Sequence, residues 1–196
     1  MSFVGILFLL MQPIVQYVEM QLIQIKHSNK QIDVHGEREM TNSAVRSVRL
    51  GDVENVMKIE ESSFSPPWEK SIFNRIAKNH GRLQVDGNRA IFMEVIIQND
   101  QVIGYIVWEE DYKEQNGHIL NIAITQSERC KGNGKKLLER TLRRMRSSGM
   151  MSCELEVRES NQAARYLYER VGMMAVDRIV EYYDYEDAII YEIIFE

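Results

Sequence analysis

The chain is poor in cysteine and proline and contains no long uninterrupted apolar run. Only two of its 196 residues are cysteine and three are proline. Cys130 and Cys153 form no C-x-x-C pair, which argues against a disulfide scaffold and favours reduced thiols inside a cell. The four histidines show no spacing typical of metal ligands, so the sequence predicts no metal site. We therefore expect a cytoplasmic protein without a bound metal.

An excess of positive charge is also absent. The formal net charge of −5 argues against a general nucleic-acid binder, which normally carries a basic face. We therefore expect no direct contact with nucleic acid, whereas a basic protein or peptide substrate is compatible with this charge. An apolar content of 44% and a charged content of 27% suit one domain with a real core.

Residues 1–43 differ in composition from the rest of the chain. Residues 1–18 are largely apolar, but Gln12, Pro13 and Gln16 interrupt them before they reach the roughly 18 apolar residues typical of a transmembrane helix. No Lys or Arg precedes this stretch, as a secretory signal would require. Three interpretations remain open. These residues are a flexible extension, upstream sequence translated from an over-long gene model, or a helix on a membrane surface. The first two are favoured over membrane attachment.

From residue 44 onward the apolar pattern alternates between strands and helices. It predicts the order β-α-α-β-β-β-α-β-α-β-β, with Asp52 capping the first helix and a polar loop over residues 79–89. A hairpin turn is predicted at Asn99 and Asp100. This order indicates an α/β (α+β) fold in which helices cover both faces of a mixed central sheet of six or seven strands. Residues 44–196 are expected to form this single domain.

Residues 129–134 read Arg-Cys-Lys-Gly-Asn-Gly and lie between a strand-like run, 118–125, and a helix-like run that begins at Lys135. Two glycines allow a tight turn and a close approach of a ligand to the backbone. The first amides of the following helix attract an anion. The spacing fits neither a nucleoside-triphosphatase loop nor a dinucleotide fingerprint. A plain helix start and a phosphate-binding turn both remain open.

A second group of polar residues follows the next predicted strand. Glu156 alternates with Leu155 and Val157, so it faces the other side of the sheet if those two are buried. Glu156 is then either a solvated edge residue or a general base. Asn161 is expected to cap the following helix. Tyr168 lies seven residues later on nearly the same helix face, as a packed core residue or as a proton donor.

Together these segments resemble the GNAT N-acetyltransferases. The R-x-x-G-x-G pattern of residues 129–134 is similar to the loop that binds the acetyl-CoA pyrophosphate. Residues 155–173 resemble the family stretch L-E-V-R-x-S-N-x-x-A-x-x-L-Y-x-x-x-G-[F/M]. Residues 64–68 look like the F-x-x-P-W bend, 121–124 like the N-I-A-V strand, and 182–188 like the Y-Y…E-D-A hairpin. The nearest groups are the ribosomal-protein alanine N-acetyltransferases and the archaeal amino-terminal acetyltransferases.

The resemblance implies a GNAT fold in which strands 118–125 and 151–157 splay apart around acetyl-CoA. It implies acetyl transfer to the alpha-amino group of a protein N-terminus, for example that of a ribosomal protein. Glu156 is the implied base and Tyr168 the implied acid, with no covalent enzyme intermediate. The implied contacts to acetyl-CoA come from Ile122, Ala123, Ile124, Arg129, Cys130, Lys131, Gly132, Asn133, Gly134, Lys135 and Asn161. The implied contacts to the acceptor come from Trp68, Tyr182 and Tyr183.

Two other functions remain open from the sequence. One is a GNAT enzyme that acetylates lysine side chains or a small amine. The other is a non-catalytic subunit that binds coenzyme A, although the presence of both Glu156 and Tyr168 argues against it.

Overall fold

The computed structural model describes residues 43–183 and 185–196. The predicted extension over residues 1–43 lies outside the described residues except for Ser43. Within the described ranges, no helix is both long enough and apolar enough to cross a lipid bilayer.

The described part of the chain folds into eight strands and four α-helices. In chain order they are β1 (Ala44–Ser47), α1 (Val53–Ser63), α2 (Lys70–Lys78), β2 (Arg82–Gln84), β3 (Arg89–Gln98), β4 (Gln101–Asp111), β5 (Asn116–Ile124), α3 (Asn133–Ser147), β6 (Ser152–Arg158), α4 (Gln162–Arg170), β7 (Met174–Tyr183) and β8 (Glu186–Ile194). The predicted order is confirmed, with β2 as an addition.

All eight strands belong to one mixed sheet with the order β1-β3-β4-β5-β6-β8-β7, and β2 pairs with β3. The pair β5–β6 is parallel, and the other pairs are antiparallel. The hairpin between β3 and β4 turns at Asn99 and Asp100, as predicted. Their φ angles of 50° and 59° are those of a type I′ turn, which matches the twist of the two strands.

Strand β2 lies where the sequence predicted only a polar loop. Its central residue, Leu83, is half-buried and pairs with Ile91 of β3, while the flanking Arg82 and Gln84 are exposed. One apolar side chain in three residues is too short an alternation to indicate a strand. The backbone of β3 supplies the partner that makes this segment extended.

Asp52 occupies the N-cap position of α1, but its carboxylate does not bond the first amides of that helix. It accepts hydrogen bonds from the Arg46 guanidinium, at 2.8 Å to Oδ1, and from the Arg49 N–H at 2.7 Å. The predicted capping bond is therefore wrong, because the neighbouring arginine offers a stronger charged partner.

Apolar side chains form one core on each face of the sheet. Helices α3 and α4 pack over one face with Trp108, Leu137 and Leu155, and helices α1 and α2 pack over the other with Val56, Phe73 and Tyr105.

The sheet opens between β5 and β6. Their parallel pairs run from Asn116 opposite Ser152 to His118 opposite Glu154. Beyond that point β5 continues along β4, and β6 continues along β8. The predicted splay is confirmed, and it separates the edge of residues 119–124 from β6.

Candidate active site

An acid–base pair lies where β5 and β6 separate. Leu155 and Val157 are buried at 1% and 5% exposure, so Glu156 faces the opposite side of the sheet, as the strand alternation predicted. Its Oε2 lies 2.7 Å from Nε2 of His118 on β5. The two side chains thus bridge the mouth of the splay.

The contact between the two side chains favours the ionised carboxylate of Glu156 and the protonated ring of His118. Burial alone would raise the pKa of Glu156, but the hydrogen bond and charge of His118 outweigh it, so this pKa lies below its ordinary value. Burial alone would lower the pKa of His118, but the bond to Glu156 and the charges of Glu156, Glu154 and Glu109 hold it above its ordinary value. The two side chains therefore do not titrate independently of each other.

His118 was not among the site residues predicted from the sequence. Its contact with Glu156 joins positions 38 residues apart and depends on the register of β5 against β6. One available signal was that His118 is the single titratable residue in the run 118–125.

Tyr168 projects from α4 into the core that packs beneath α3. It is 5% exposed, and its ring centroid lies 5.6 Å from that of Tyr191. Burial, with smaller contributions from Tyr183 and Tyr191, raises its pKa well above the usual range. A tyrosine hydroxyl carries its proton at neutral pH in any case, and this rise makes the Tyr168 hydroxyl a weaker acid.

Tyr182 and Tyr183 end β7 close to the acid–base pair. Their rings meet edge to face with centroids 5.0 Å apart, and the Arg158 guanidinium lies 4.3 Å from the Tyr183 ring centroid. Burial first, and then the charge of Glu156, raise the pKa of both tyrosines above its usual range. Tyr182 and Tyr183, two of the three residues predicted to contact the acceptor, thus lie close enough to Glu156 for its charge to act on their hydroxyls.

Trp68 lies in the segment between α1 and α2. Its ring stacks on that of Phe73 with centroids 5.9 Å apart, and its backbone N–H donates to Glu60 Oε1 at 2.8 Å. Glu60 in turn accepts from Asn121 of β5. Trp68 is therefore linked to the splayed strand through a buried carboxylate.

The turn at residues 129–134 exposes backbone amides at the start of α3. Gly132 is the N-cap residue with a φ of +88°, and a Cβ built on it would meet no heavy atom within 4 Å. Its carbonyl accepts from the Lys136 N–H at 3.0 Å. The preceding amides, those of Asn133, Gly134 and Lys135, have no partner within the helix. Amides of this kind at the start of a helix suit an anion.

Two side chains of this turn point back into the protein. Arg129 donates to the Ile124 carbonyl at 2.8 Å and to Ser63 Oγ at 3.0 Å. The amide of Asn133 donates to the Glu128 carbonyl at 3.1 Å. These contacts brace the turn, so its backbone, more than these side chains, faces a ligand.

The remaining predicted cofactor residues lie on both sides of the splay. Residues 122–124 form the end of β5, and Asn161 begins α4, where its Oδ1 accepts from the Ala164 N–H at 3.1 Å. The predicted cap is confirmed. Cys130 and Lys131 lie exposed on the turn, with Lys131 Nζ 3.0 Å from Glu128 Oε1.

This arrangement fits a ligand that carries a phosphate and an extended amide arm. The unpartnered amides at α3 suit the phosphate, and the strand edge that β6 leaves suits the arm. Across the described ranges, no group of three or more His, Cys, Asp or Glu side chains is arranged to hold a metal.

Three features are those expected of a coenzyme-A-dependent acetyltransferase: a splayed mixed sheet, a glycine turn that opens a helix beside the splay, and a half-buried His–Glu pair at the mouth of the splay. The chain belongs to the acetyltransferase (GNAT) family, whose model matches residues 53–173. Members of this family take the acetyl group from acetyl-CoA.

Relatives within the family are N-acetyltransferases. The chain is 30% identical to the [ribosomal protein bS18]-alanine N-acetyltransferase of Haemophilus influenzae, over 72% of this chain and 88% of that protein. It is 28% identical to the N-alpha-acetyltransferase of Saccharolobus solfataricus, over 74% of this chain and 88% of that protein. The crystal structure of the ribosomal-protein-S18-alanine N-acetyltransferase from Escherichia coli has a TM-score of 0.63 at 25% identity, covering 78% and 93% of the two chains. The predicted family, fold, acetyltransferase activity and acetyl-CoA requirement are confirmed.

Proposed function

We propose that the protein acetylates the alpha-amino group of a protein N-terminus, with a ribosomal protein as its acceptor. The observation that carries this proposal is the ion pair of His118 and Glu156 at the mouth of the splay, 2.7 Å apart and flanked by Tyr182 and Tyr183. The names of the bacterial and archaeal relatives support the same acceptor class.

Three parts of the chain would hold acetyl-CoA, which supplies an activated acetyl group when bound. The amides of residues 132–135 would hold its pyrophosphate at the start of α3. Backbone groups of residues 122–124 would pair with its extended arm as an added strand does. Asn161 would flank that arm from the start of α4.

The His118–Glu156 pair would accept the proton of the attacking amine. A protein N-terminus has a pKa of about 7.7–8.0, so much of it is protonated near neutral pH and must lose a proton before it can attack. Glu156, whose pKa is lowered, is by itself a weak base for such an amine. The pKa of His118 is raised towards that of the amine, so its neutral imidazole would accept the proton and Glu156 would stabilise the imidazolium that forms.

Tyr168 would donate a proton to the departing thiolate. Its hydroxyl carries a proton at neutral pH, as any tyrosine hydroxyl does. Cys130 and Cys153 take no part in this route, since the amine attacks the acetyl group directly.

A pair of matched peptides tests the acceptor. One peptide has a free N-terminus and arginine in place of every lysine, and the other has a blocked N-terminus and free lysines. We expect the mass of only the first to increase with acetyl-CoA, and the increase to disappear in the Glu156→Gln variant. Acetylation of the second peptide instead would identify a lysine acetyltransferase, and binding of acetyl-CoA without acetylation of either would identify a non-catalytic subunit.

A library of peptides with varied first residues then tests the ribosomal acceptor. We expect peptides that begin like the S18 ribosomal protein to have a higher kcat/KM than shuffled peptides of the same composition. Equal values for the two sets would contradict a ribosomal acceptor while leaving N-terminal acetylation intact.

We also propose that residues 44–196 are the catalytic domain of a cytoplasmic enzyme. A chain that starts at Met40 keeps Ser43, whose Oγ lies 3.0 Å from Lys136 Nζ. This shortened chain is expected to match the full chain in kcat/KM and in binding to lipid vesicles. A loss of vesicle binding on shortening would instead support the membrane-surface interpretation of residues 1–18.

A further inference from the structure

A buried carboxylate joins the acceptor side of the site to the splayed strand. Glu60, in the last turn of α1, is 0% exposed. Its Oε1 accepts from the Trp68 N–H at 2.8 Å, and its Oε2 accepts from the Tyr105 hydroxyl on β4 and from Asn121 Nδ2 on β5 at 3.2 Å. We call these four residues, Glu60, Trp68, Tyr105 and Asn121, the Glu60 bridge.

The three groups that donate to Glu60 are all neutral. A carboxylate that leaves water for such a site loses its hydration and gains no opposite charge in these contacts, so its burial is costly. Burial raises the pKa of Glu60, and the three hydrogen bonds oppose that rise. An apolar side chain here would leave all three donors without their acceptor, so the glutamate ties the segment with Trp68 to β4 and β5.

The Glu60 bridge spans the two halves of the site. At one end, Trp68 stacks on Phe73, whose ring meets Tyr105 edge to face with centroids 5.6 Å apart. At the other end, Asn121 precedes residues 122–124, which form the strand edge proposed for acetyl-CoA. A shift of the carboxylate therefore changes the position of Trp68 relative to β5.

We infer that Glu60 is a positioning residue for the acceptor: its carboxylate fixes the segment with Trp68 against β5 and so sets the affinity for the acceptor peptide. This inference rests on the proposed function, because it needs Trp68 to border the acceptor.

Two substitutions separate the effect of the side-chain length of Glu60 from the effect of its charge. Glu60→Asp keeps the carboxylate but shortens the side chain by one methylene, so it cannot hold all three donors together. Glu60→Gln keeps the reach and one oxygen to accept from the Trp68 N–H. We expect Glu60→Asp to raise the acceptor KM about tenfold, the value of one hydrogen bond to a charged group, and to leave kcat and the acetyl-CoA KM unchanged. Glu60→Gln should stay near the wild type.

Quenching of tryptophan fluorescence by acrylamide reports the same change without catalysis. The chain has two tryptophans, and Trp108 is 0% exposed while Trp68 is half-buried, so quenching reports mainly Trp68. We expect stronger quenching in Glu60→Asp and not in Glu60→Gln. Glu54→Gln is the matched control, because Glu54 lies exposed on the same helix and pairs with Lys70 of α2.

Wild-type acceptor KM and quenching in Glu60→Asp would overturn the inference. So would a rise of the acceptor and acetyl-CoA KM together in Glu60→Asp and Glu60→Gln, since that is general structural damage. If the wild type acetylates no N-terminal peptide, the proposed function fails, and the quenching comparison still decides whether Glu60 positions Trp68.

Discussion

The proposed proton-transfer centre and the turn at residues 129–134 are built in opposite ways. The proposed centre needs specific side chains from three elements: the half-buried His118 of β5 and Glu156 of β6, and the buried Tyr168 of α4. At the turn, side chains point inward or into solvent, and the backbone amides are the groups proposed to hold the ligand. The centre therefore depends on which residue occupies each position, whereas the turn depends on the path of its backbone.

This difference separates the kinetic effects of substitution. A change at the centre alters proton transfer, so it lowers kcat and changes the response to pH. A change at the turn alters the placement of amides, so it raises the acetyl-CoA KM. A substitution at the centre that changes only the acetyl-CoA KM would contradict this distinction. So would a substitution at the turn that changes only kcat.

The largest loss is expected for Glu156→Gln. The variant keeps the shape of the side chain but cannot hold His118 as a cation, so kcat should fall about a thousandfold, within the usual range for acid–base groups. The pKa of His118, measured by NMR titration of its ring, should fall because burial then acts without the hydrogen bond and charge of Glu156, and only Glu154 and Glu109 still oppose it. An unchanged His118 pKa would show that the two side chains do not act as a pair.

The same variant has a defined effect on stability. The raised pKa of His118 gives stability that is complete below its ordinary value of 6.5 and is lost as pH rises through the folded value. The lowered pKa of Glu156 gives stability that is complete above its ordinary value of 4.5 and is lost as pH falls through the folded value. The difference in free energy of unfolding between wild type and Glu156→Gln should thus be largest between pH 4.5 and 6.5, as measured by urea denaturation.

The next largest effect is expected for Tyr168→Phe. Loss of the hydroxyl removes the proposed proton donor but keeps the ring against Tyr191, so kcat should fall about a hundredfold. Acetyl-CoA affinity, measured by calorimetry, should stay the same. The control is Tyr191→Phe, which removes a neighbouring hydroxyl from the same aromatic pair. Equal losses in the two variants would show that Tyr168 acts through packing.

The parts of the site that the sequence predicted are local in the chain. The turn at residues 129–134 reads directly from a strand, two glycines and a helix, and the face of Glu156 follows from strand alternation. The parts it missed are contacts between distant residues. His118 meets Glu156 across 38 positions, and Glu60 meets Tyr105 across 45, and both contacts depend on strand register and helix docking. The alternation of apolar and polar residues along one strand does not show which residues of the neighbouring strand lie opposite them.

A substitution in the turn should have an intermediate effect on a different parameter. In Gly132→Val a branched side chain must adopt a φ of +88°, which costs about 1–2 kcal/mol and shifts the amides of the turn. We expect the acetyl-CoA KM to rise about tenfold with little change in kcat. Gly134 is a poorer position to test, because a Cβ there would lie 3.3 Å from Leu167 Cδ2 and would also disturb α4.

Gly149→Val is the matched control for the turn. Gly149 follows the other end of α3 with a φ of +90°, and a Cβ on it also meets no heavy atom within 4 Å. Its substitution should cost similar stability, measured as the free energy of unfolding, and leave the acetyl-CoA KM unchanged. A similar rise in KM for both variants would attribute the effect of Gly132 to stability.

The smallest effect is expected for Cys130→Ser. Cys130 lies exposed in the turn with a φ of +59°, and serine keeps its size, so the backbone path and both kinetic parameters should be preserved. Alkylation of Cys130 with iodoacetamide is the opposite case, since it adds bulk beside the amides and should raise the acetyl-CoA KM in the wild type but not in Cys130→Ser. The second thiol, Cys153, is buried and does not compete for the reagent, because burial raises its pKa. Loss of kcat in Cys130→Ser would mean that a thiol takes part in the chemistry. Such a result would contradict the distinction between the two regions, because a side chain of the turn would then take part in the chemistry.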